Sequence, residues 1–400
     1  MREPTKTLVP KLRFLEFKDS GEWEEKTLGK IGKIVTGNTP ITADIDNYGG
    51  NRLFVSPADI SEQRFIYSTK TTLSEKGYSK TRKIPANSIL FVCIGSTIGK
   101  IAQNKIDCAT NQQINAVIPF QGYSNNFVYY SLDFNSSKIA ELAGKHAVPI
   151  VNKSLFSTVI MSFPLHDEQQ KIADCLSSID ELITAQTQKI AALKDHKKGL
   201  MQQLFPAEGE TTPKLRFHEF QDAGDWKEKT LDECLDYQQP IPYLVSDTNY
   251  SDAFKTPVLT AGKTFILGYT NEQNGIFSDN LPVIIFDDFT TATQFVDFPF
   301  KAKSSAMKIL LEKSGANIKF MYELMQMVAY EVGTHERHWI SKFAPMTVLI
   351  PSPDEQKKIA DCLSSIDDLI NAQTQKLESY KIHKKGLMQQ LFPNTVEVVE

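Results

Sequence analysis

The chain has 400 residues, a length that points to two or three domains. It is 41% hydrophobic and 23% charged, which excludes a disordered chain, and its net charge of −4 excludes a uniformly basic nucleic-acid binder while leaving local patches open. No apolar run reaches the ~18 residues of a transmembrane helix, residues 1–14 lack a signal-peptide core, and the five cysteines include no C-x-x-C pair. A reducing cytoplasm is therefore expected, with neither a disulfide framework nor a structural zinc site.

In chain order, residues 10–31 read PKLRFLEFKDSGEWEEKTLGKI and lead into a first body. Strands are predicted there at 52–55, 88–92 and 114–118, with a helix near 125–143. Residues 167–206 are predicted to be one long helix. Residues 213–234 then repeat residues 10–31 with 14 of 22 positions identical. A second body follows, with strands predicted at 257–260 and 282–286 and a helix near 317–332. Residues 354–393 repeat residues 167–206 with 32 of 40 positions identical. The two bodies do not resemble each other in sequence, and both read as mixed α/β (α+β). Two repeats are too few and too long for a solenoid. The layout is one scaffold used twice: an N-terminal body at 1–166, a helix at 167–206, a C-terminal body at 207–353, a helix at 354–393 and a tail at 394–400.

The repeated helices carry a heptad seam. In the first it runs through Ile172, Leu176, Ile179, Ile183, Gln186, Ile190, Leu193, Lys197, Leu200 and Leu204; in the second, through Ile359, Leu363, Ile366, Ile370, Gln373, Leu377, Tyr380, Lys384, Leu387 and Leu391. Asp167-Glu168 and Asp354-Glu355 place negative charge at the helix starts, and His196 to Lys198 and His383 to Lys385 place positive charge near the ends, as the helix dipole favours. A helix of some 38 residues is about 57 Å long at ~1.5 Å per residue. Matching seams predict an antiparallel coiled coil with an approximate two-fold relation between the halves; the alternative is that each helix packs on its own body.

Charge divides the bodies. Residues 32–166 hold 13 Lys+Arg against 8 Asp+Glu, and residues 235–353 hold 9 against 12. The first body is the better phosphate-binding surface; in the second, Lys301, Lys303 and Lys308 are the candidate local patch. Catalytic motifs are weak. Gly95-Ser96-Thr97-Ile98-Gly99-Lys100 lacks the spacing of a P-loop and reads as a glycine turn after a strand. His335-Glu336-Arg337-His338 lacks the spacing of a zinc helix and a third ligand. Asp287-Asp288 reads as a turn acceptor or an acceptor from a cytosine amino group. Cys175 and Cys362, at equivalent helix positions, have no activating base and read as packing residues.

Several segments together resemble a known family. Trp23 to Ile31 leads into Thr36-Gly37-Asn38-Thr39-Pro40; Ala109-Thr110-Asn111-Gln112-Gln113-Ile114-Asn115-Ala116 follows; and Pro164-Leu165-His166-Asp167-Glu168-Gln169-Gln170-Lys171-Ile172-Ala173 recurs at 351–360 as Pro-Ser-Pro-Asp-Glu-Gln-Lys-Lys-Ile-Ala. The chain resembles, over nearly its whole length, the DNA specificity (S) subunit of type I restriction–modification systems. The resemblance implies two target recognition domains, each reading one half of a split double-stranded DNA sequence, on helices that set the gap between half-sites. It implies two modification (methyltransferase) subunits that bind S-adenosylmethionine and methylate adenine, and restriction (translocase/nuclease) subunits that use ATP and Mg, with no cofactor, metal or catalytic residue on this chain and no membrane.

The second body lacks the Thr-Gly-Asn-Thr-Pro and Ala-Thr-Asn-Gln-Gln segments, so the two half-sites are expected to differ. DNA contacts are expected from Arg82, Lys83, Ser96, Thr97, Lys100, Asn111, Gln112 and Gln113 in the first body, and from Lys301, Lys303, Ser304, Ser305, His335, Arg337 and His338 in the second; Asn and Gln can pair bidentately with adenine. The competing readings are a helical scaffold without DNA reading, from which a test for salt-dependent DNA binding discriminates, and a self-sufficient methyltransferase, which needs motifs the sequence lacks. The near-identical repeats also predict that heads are exchanged by recombination.

Overall fold

The computed structural model describes residues 8–144, 148–260, 262, 264–313, 315–328, 338–393 and 397–398. Two compact units emerge: Met1–Thr187 with Lys376–Glu400, and Gln188–Gln375.

In the first unit a five-stranded sheet runs in the order Gly32–Thr36, Ile114–Pro119, Ile89–Val92, Ile101–Asn104, Phe65–Ile66. The first four strands are antiparallel to their neighbours and the last is parallel. A second sheet orders Thr71–Leu73, Tyr48–Val55, Cys108–Thr110, the first pair antiparallel and the second parallel. The run at 89–92 is wholly apolar because both its faces are covered. Ile89 and Phe91 join the core with Phe127, Tyr130 and Phe156, whereas Leu90 and Val92 face Val55, Ile84 and Cys108. The helix Asn125–Glu141 covers the first face, its start fixed by Ser124, whose side chain accepts from the Phe127 N–H.

The second unit repeats this topology, less the fifth strand, without repeating the sequence. Its sheet orders Leu235–Gln238, Met307–Glu312, Val283–Asp287, Thr293–Val296, all antiparallel. Its second sheet orders Ile266–Thr270, Thr256–Leu259, Lys301–Ala302, again antiparallel then parallel. Ile284 and Phe286 face the helix Ile318–Met327, and Val283 and Ile285 the opposite core. Asn317 caps that helix, accepting from Phe320 N–H.

The long helices are His166–Leu204 and Pro353–Leu391, each of 39 residues. Along both, seam positions are buried or half-buried; Gln186, at a seam position, is buried. In the first unit Ile172, Ala173 and Leu176 of the first long helix share a core with Met388 and Leu391 of the second and with Phe392 just beyond it, and farther along Asp180 meets Lys384 at 2.7 Å. In the second unit Met201 and Leu204, with Phe205, share a core with Ile359, Ala360 and Leu363, and Lys197 meets Asp367 at 2.7 Å. Within each unit the helical segments therefore run antiparallel. Among the described residues no helix is long and apolar enough to cross a membrane.

Candidate nucleic-acid interface

The repeated blocks build the same clamp twice. Arg13 grips Glu168 with two hydrogen bonds of 2.8 and 2.7 Å and also donates to the Gly21 carbonyl, while the Trp23 indole donates to the same carboxylate at 3.4 Å. Arg216, Glu355, Gly224 and Trp226 reproduce this at 2.8, 2.8, 2.7 and 3.4 Å. Both glutamates are buried, so the fork-to-fork pairing supplies what water no longer can. The next residue fastens the body. Gln169 accepts from Ser124 N–H and donates to the Pro164 carbonyl; Gln356 accepts from Asn317 N–H and donates to the Pro351 carbonyl. The Glu-Gln pair at each helix entry thus binds the N-terminal block with one side chain and the cap of the body's helix with the other.

On this frame each body carries two touching loops. In the first, residues 93–100 turn between strands 89–92 and 101–104, and residues 111–113 join strands 108–110 and 114–119. They meet where Cys93 N–H donates to the Gln113 carbonyl at 2.8 Å and Gln113 Nε2 to the Ile94 carbonyl at 3.3 Å. Gly95 and Gly99 take φ of 95° and 93°, which suits glycine alone and closes a hairpin rather than a nucleotide-binding loop. A third segment leans on the second: Thr36 donates to Asn115 Oδ1 at 2.6 Å and Thr39 to Gln112 Oε1 at 2.8 Å. Gly37 makes this possible, since a Cβ there would lie 2.2 Å from the carbonyl oxygens of Thr110 and Asn111.

In the second body the hairpin at 288–292 joins strands 283–287 and 293–296, and touches residues 303–306 through Asp288 N–H to the Ala306 carbonyl at 3.0 Å. Both linking turns are closed in the same way, by a side chain accepting from the N–H two residues on: Asn111 from Gln113 and Ser304 from Ala306.

The sequence-selected residues now separate. In the first body Arg82 is exposed and braces the fold, donating its guanidinium to the Thr36 carbonyl and its backbone N–H to Asn38 Oδ1. Lys83 stands over the Tyr78 ring, and exposed Lys100 reaches the Ile60 carbonyl at 3.2 Å. Asn111 and Gln113 bond each other, whereas Gln112 is exposed. Ser96 is exposed and Thr97 half-buried on the hairpin.

In the second body the expected lysine patch does not form. Lys301 is buried, bonded to the Asn274 carbonyl and paired with Glu272 at 2.7 Å, which holds that carboxyl below its usual range. Lys308 is buried, facing Asp288 at 3.5 Å and the Tyr237 ring. Strand position turns both side chains inward, a direction that charge counting does not see. Lys303 and Ser305 are exposed, and Ser304 is half-buried. His338 is buried, its N–H donating to the Asp288 carbonyl; His335 and Arg337 lie outside the described residues. Asp287 and Asp288 act as turn acceptors, for Phe289 and Thr290 N–H and for Trp339 N–H respectively.

Among the described residues no His, Cys, Asp or Glu cluster is arranged to hold a metal ion. Burial pushes the Cys93 and Cys108 thiols up to about 12 and raises those of Cys175 and Cys362 as well, the reverse of what a nucleophile needs.

Comparison with known proteins gives this arrangement its class. A profile described as type I restriction modification DNA specificity domain matches residues 20–195. The chain is 49% identical over 133 residues to the EcoR124I/EcoR124II specificity subunit of Escherichia coli, a stretch covering 32% of this chain and 33% of that protein. It is 23% identical over 406 residues to the MjaVIII specificity subunit of Methanocaldococcus jannaschii, covering 94% and 93%. In fold it is similar to the S subunit of a type I restriction–modification system from M. genitalium, with a TM-score of 0.64 at 14% identity over 97% of this chain and 100% of that one. Residues 20–195 thus carry the match to a type I restriction modification DNA specificity domain, and along its length the chain is similar to type I restriction–modification specificity (S) subunits.

Proposed function

We propose that this chain reads an asymmetric, bipartite double-stranded DNA target, one half with each body, and delivers two modification subunits to it for adenine methylation. Restriction subunits using ATP and Mg join the same complex, in the cytoplasm. The observation that carries the reading is the pair of touching loops, built at corresponding strand ends of two bodies of one topology and filled with different side chains. Loops on a rigid sheet are where recognition is usually carried. Different loop chemistry on the same backbone supports two different half-sites.

On this reading the domains divide as 1–166 and 207–353 for recognition and 167–206 and 354–393 for spacing, with 394–400 as a tail. The exposed members of the loops, Ser96, Lys100 and Gln112 in the first body and Lys303 and Ser305 in the second, are the proposed DNA contacts. Arg82, Asn111, Gln113, Lys301 and His338 support the loops from behind.

The test is methylome sequencing of cells carrying the complete system, with and without this chain. Methylation at an asymmetric split sequence that disappears with the chain supports the reading; a symmetric or unchanged pattern overturns it. Inserting four residues at Thr184-Ala185-Gln186 lengthens the first long helix by about 6 Å. The tolerated gap between half-sites then shifts by one or two base pairs, at ~3.4 Å each. An unchanged gap removes the helices from the spacing role.

A further inference from the structure

The repeated helices each contribute a lysine and an aspartate to a different body. Lys384 and Asp180 meet in the first unit, Lys197 and Asp367 in the second, both at 2.7 Å, and each pair stands against the first turns of the body's helix. These frame residues are identical between copies. What the bodies offer them is not.

In the first unit one side chain serves both partners. The Tyr130 hydroxyl donates to Asp180 Oδ2 at 2.6 Å, and the Tyr130 ring faces the Lys384 ammonium at 5.2 Å. Arg64 backs the tyrosine, donating to its hydroxyl oxygen at 2.6 Å and lying 3.8 Å from Asp180. In the second unit two side chains divide the task. Glu323, at the position corresponding to Tyr130, accepts from Lys197 at 2.9 Å, and Lys319, one turn earlier, donates to Asp367 at 2.8 Å. Lys319 also bridges to Glu323 at 2.8 Å. Tyr130 and Glu323 are both buried, so neither can be exchanged for a group that leaves the frame lysine facing apolar surface without stranding a charge.

We infer that the Lys–Asp pair is a docking socket with a chemical rule: a recognition body fits when its first helix offers the frame aspartate a hydrogen-bond donor and the frame lysine an electron-rich group, either a carboxylate or an aromatic face. A cation over a ring and a cation beside a carboxylate are physically interchangeable in sign. That is how two bodies of unrelated sequence sit on one repeated helix. The rule names the kind of body the frame accepts, independently of what DNA that body reads.

The experiment transplants one solution into the other unit, in the full chain, reading the unfolding midpoint by calorimetry. Glu323→Leu removes the electron-rich group and is expected to lower the midpoint by roughly 10 °C. Lys319→Asn/Glu323→Tyr installs the first unit's solution and is expected to recover at least half of that loss. A double variant no better than Glu323→Leu overturns the rule. Tyr130→Phe and Tyr130→Leu give an independent arm should the second unit fail to fold. Phe keeps the ring face and loses the hydroxyl with its bonds to Asp180 and Arg64, whereas Leu loses the ring face as well, so Leu is expected to fall further; equal losses overturn the rule in the first unit.

Discussion

The two units share a backbone plan and differ in what they do with charge. The first body has spare cations, several held only by carbonyls or ring faces, as Lys83, Lys100 and Lys105 are. The second has fewer, and folds two of them inward against Glu272 and Asp288. On the proposed reading the first body is therefore expected to be the tighter phosphate binder. Clamp, cap and socket recur with matching geometry, whereas loop contents and cation exposure do not.

The largest expected effects fall on what the units share. Glu168→Ala and Glu355→Ala each leave a half-buried arginine without its carboxylate, and each should cost about 3 kcal/mol. Because the clamps are duplicates, the two losses should agree within about 1 kcal/mol in urea unfolding followed by a probe local to each unit. A cost confined to one unit would show that the repeat is sequence history rather than working equivalence. Phe205→Ala and Phe392→Ala should each cost about 3–5 kcal/mol. Phe205 stacks on Phe320 and meets Trp226, as Phe392 meets Phe127 and Trp23.

Smaller effects fall on what the units do not share. Gln112→Ala should leave folding intact and cost about 1–3 kcal/mol of discrimination at one base of one half-site, read by DNA-binding competition with single-base variants in the assembled complex. Lys303→Ala should weaken binding across sequences and lower the salt slope by about one unit. If Gln112→Ala weakens all sequences equally, Gln112 contacts backbone, and the contrast between a base-reading and a phosphate-holding loop is lost.

The shared parts were the legible parts. Heptad periodicity and an internal repeat survive in sequence because a helix seam needs particular side chains at fixed spacing, so the long helices and their pairing are legible there, whereas their antiparallel sense is a preference that the seam alone does not fix. The equivalence of the two bodies could not. A sheet is held by backbone hydrogen bonds, and its covered strands accept many apolar residues, so Ile89-Leu90-Phe91-Val92 and Val283-Ile284-Ile285-Phe286 fill the same place with little identity. Asn111 and Gln113 read as base contacts from composition and face each other in the fold. Glu168 and Glu355 read as dipole charges; their repeated partners Arg13 and Arg216 were the available signal for a clamp. Nothing in sequence announced Arg64, which comes from a loop to meet Tyr130.

The finest comparison is a pH dependence of opposite sign in the two units. Burial pushes the Asp367 carboxyl up, but hydrogen bonds from Lys197 and Lys319 outweigh it and hold the group below its ordinary 3.8. Asp133, beside the first unit's socket, is raised above 3.8 by burial, with Lys384 and Arg64 pulling down and Asp180 pushing up. A lowered carboxylate contributes stability that is present above 3.8 and lost as pH falls through the lowered value. A raised one does the reverse: the folded state holds its proton more tightly, so the contribution is complete below 3.8 and is lost as pH rises through the raised value. Unfolding free energy measured from pH 3 to pH 6 should therefore change slope in opposite directions in the two variants. Asp367→Asn should remove part of the acid-side loss, and Asp133→Asn should remove part of the loss on going from pH 4 to pH 6. Parallel curves for the two variants would mean that burial does not outweigh the neighbouring cations at Asp133, a residue of the body's helix, as it fails to do at the frame residue Asp367.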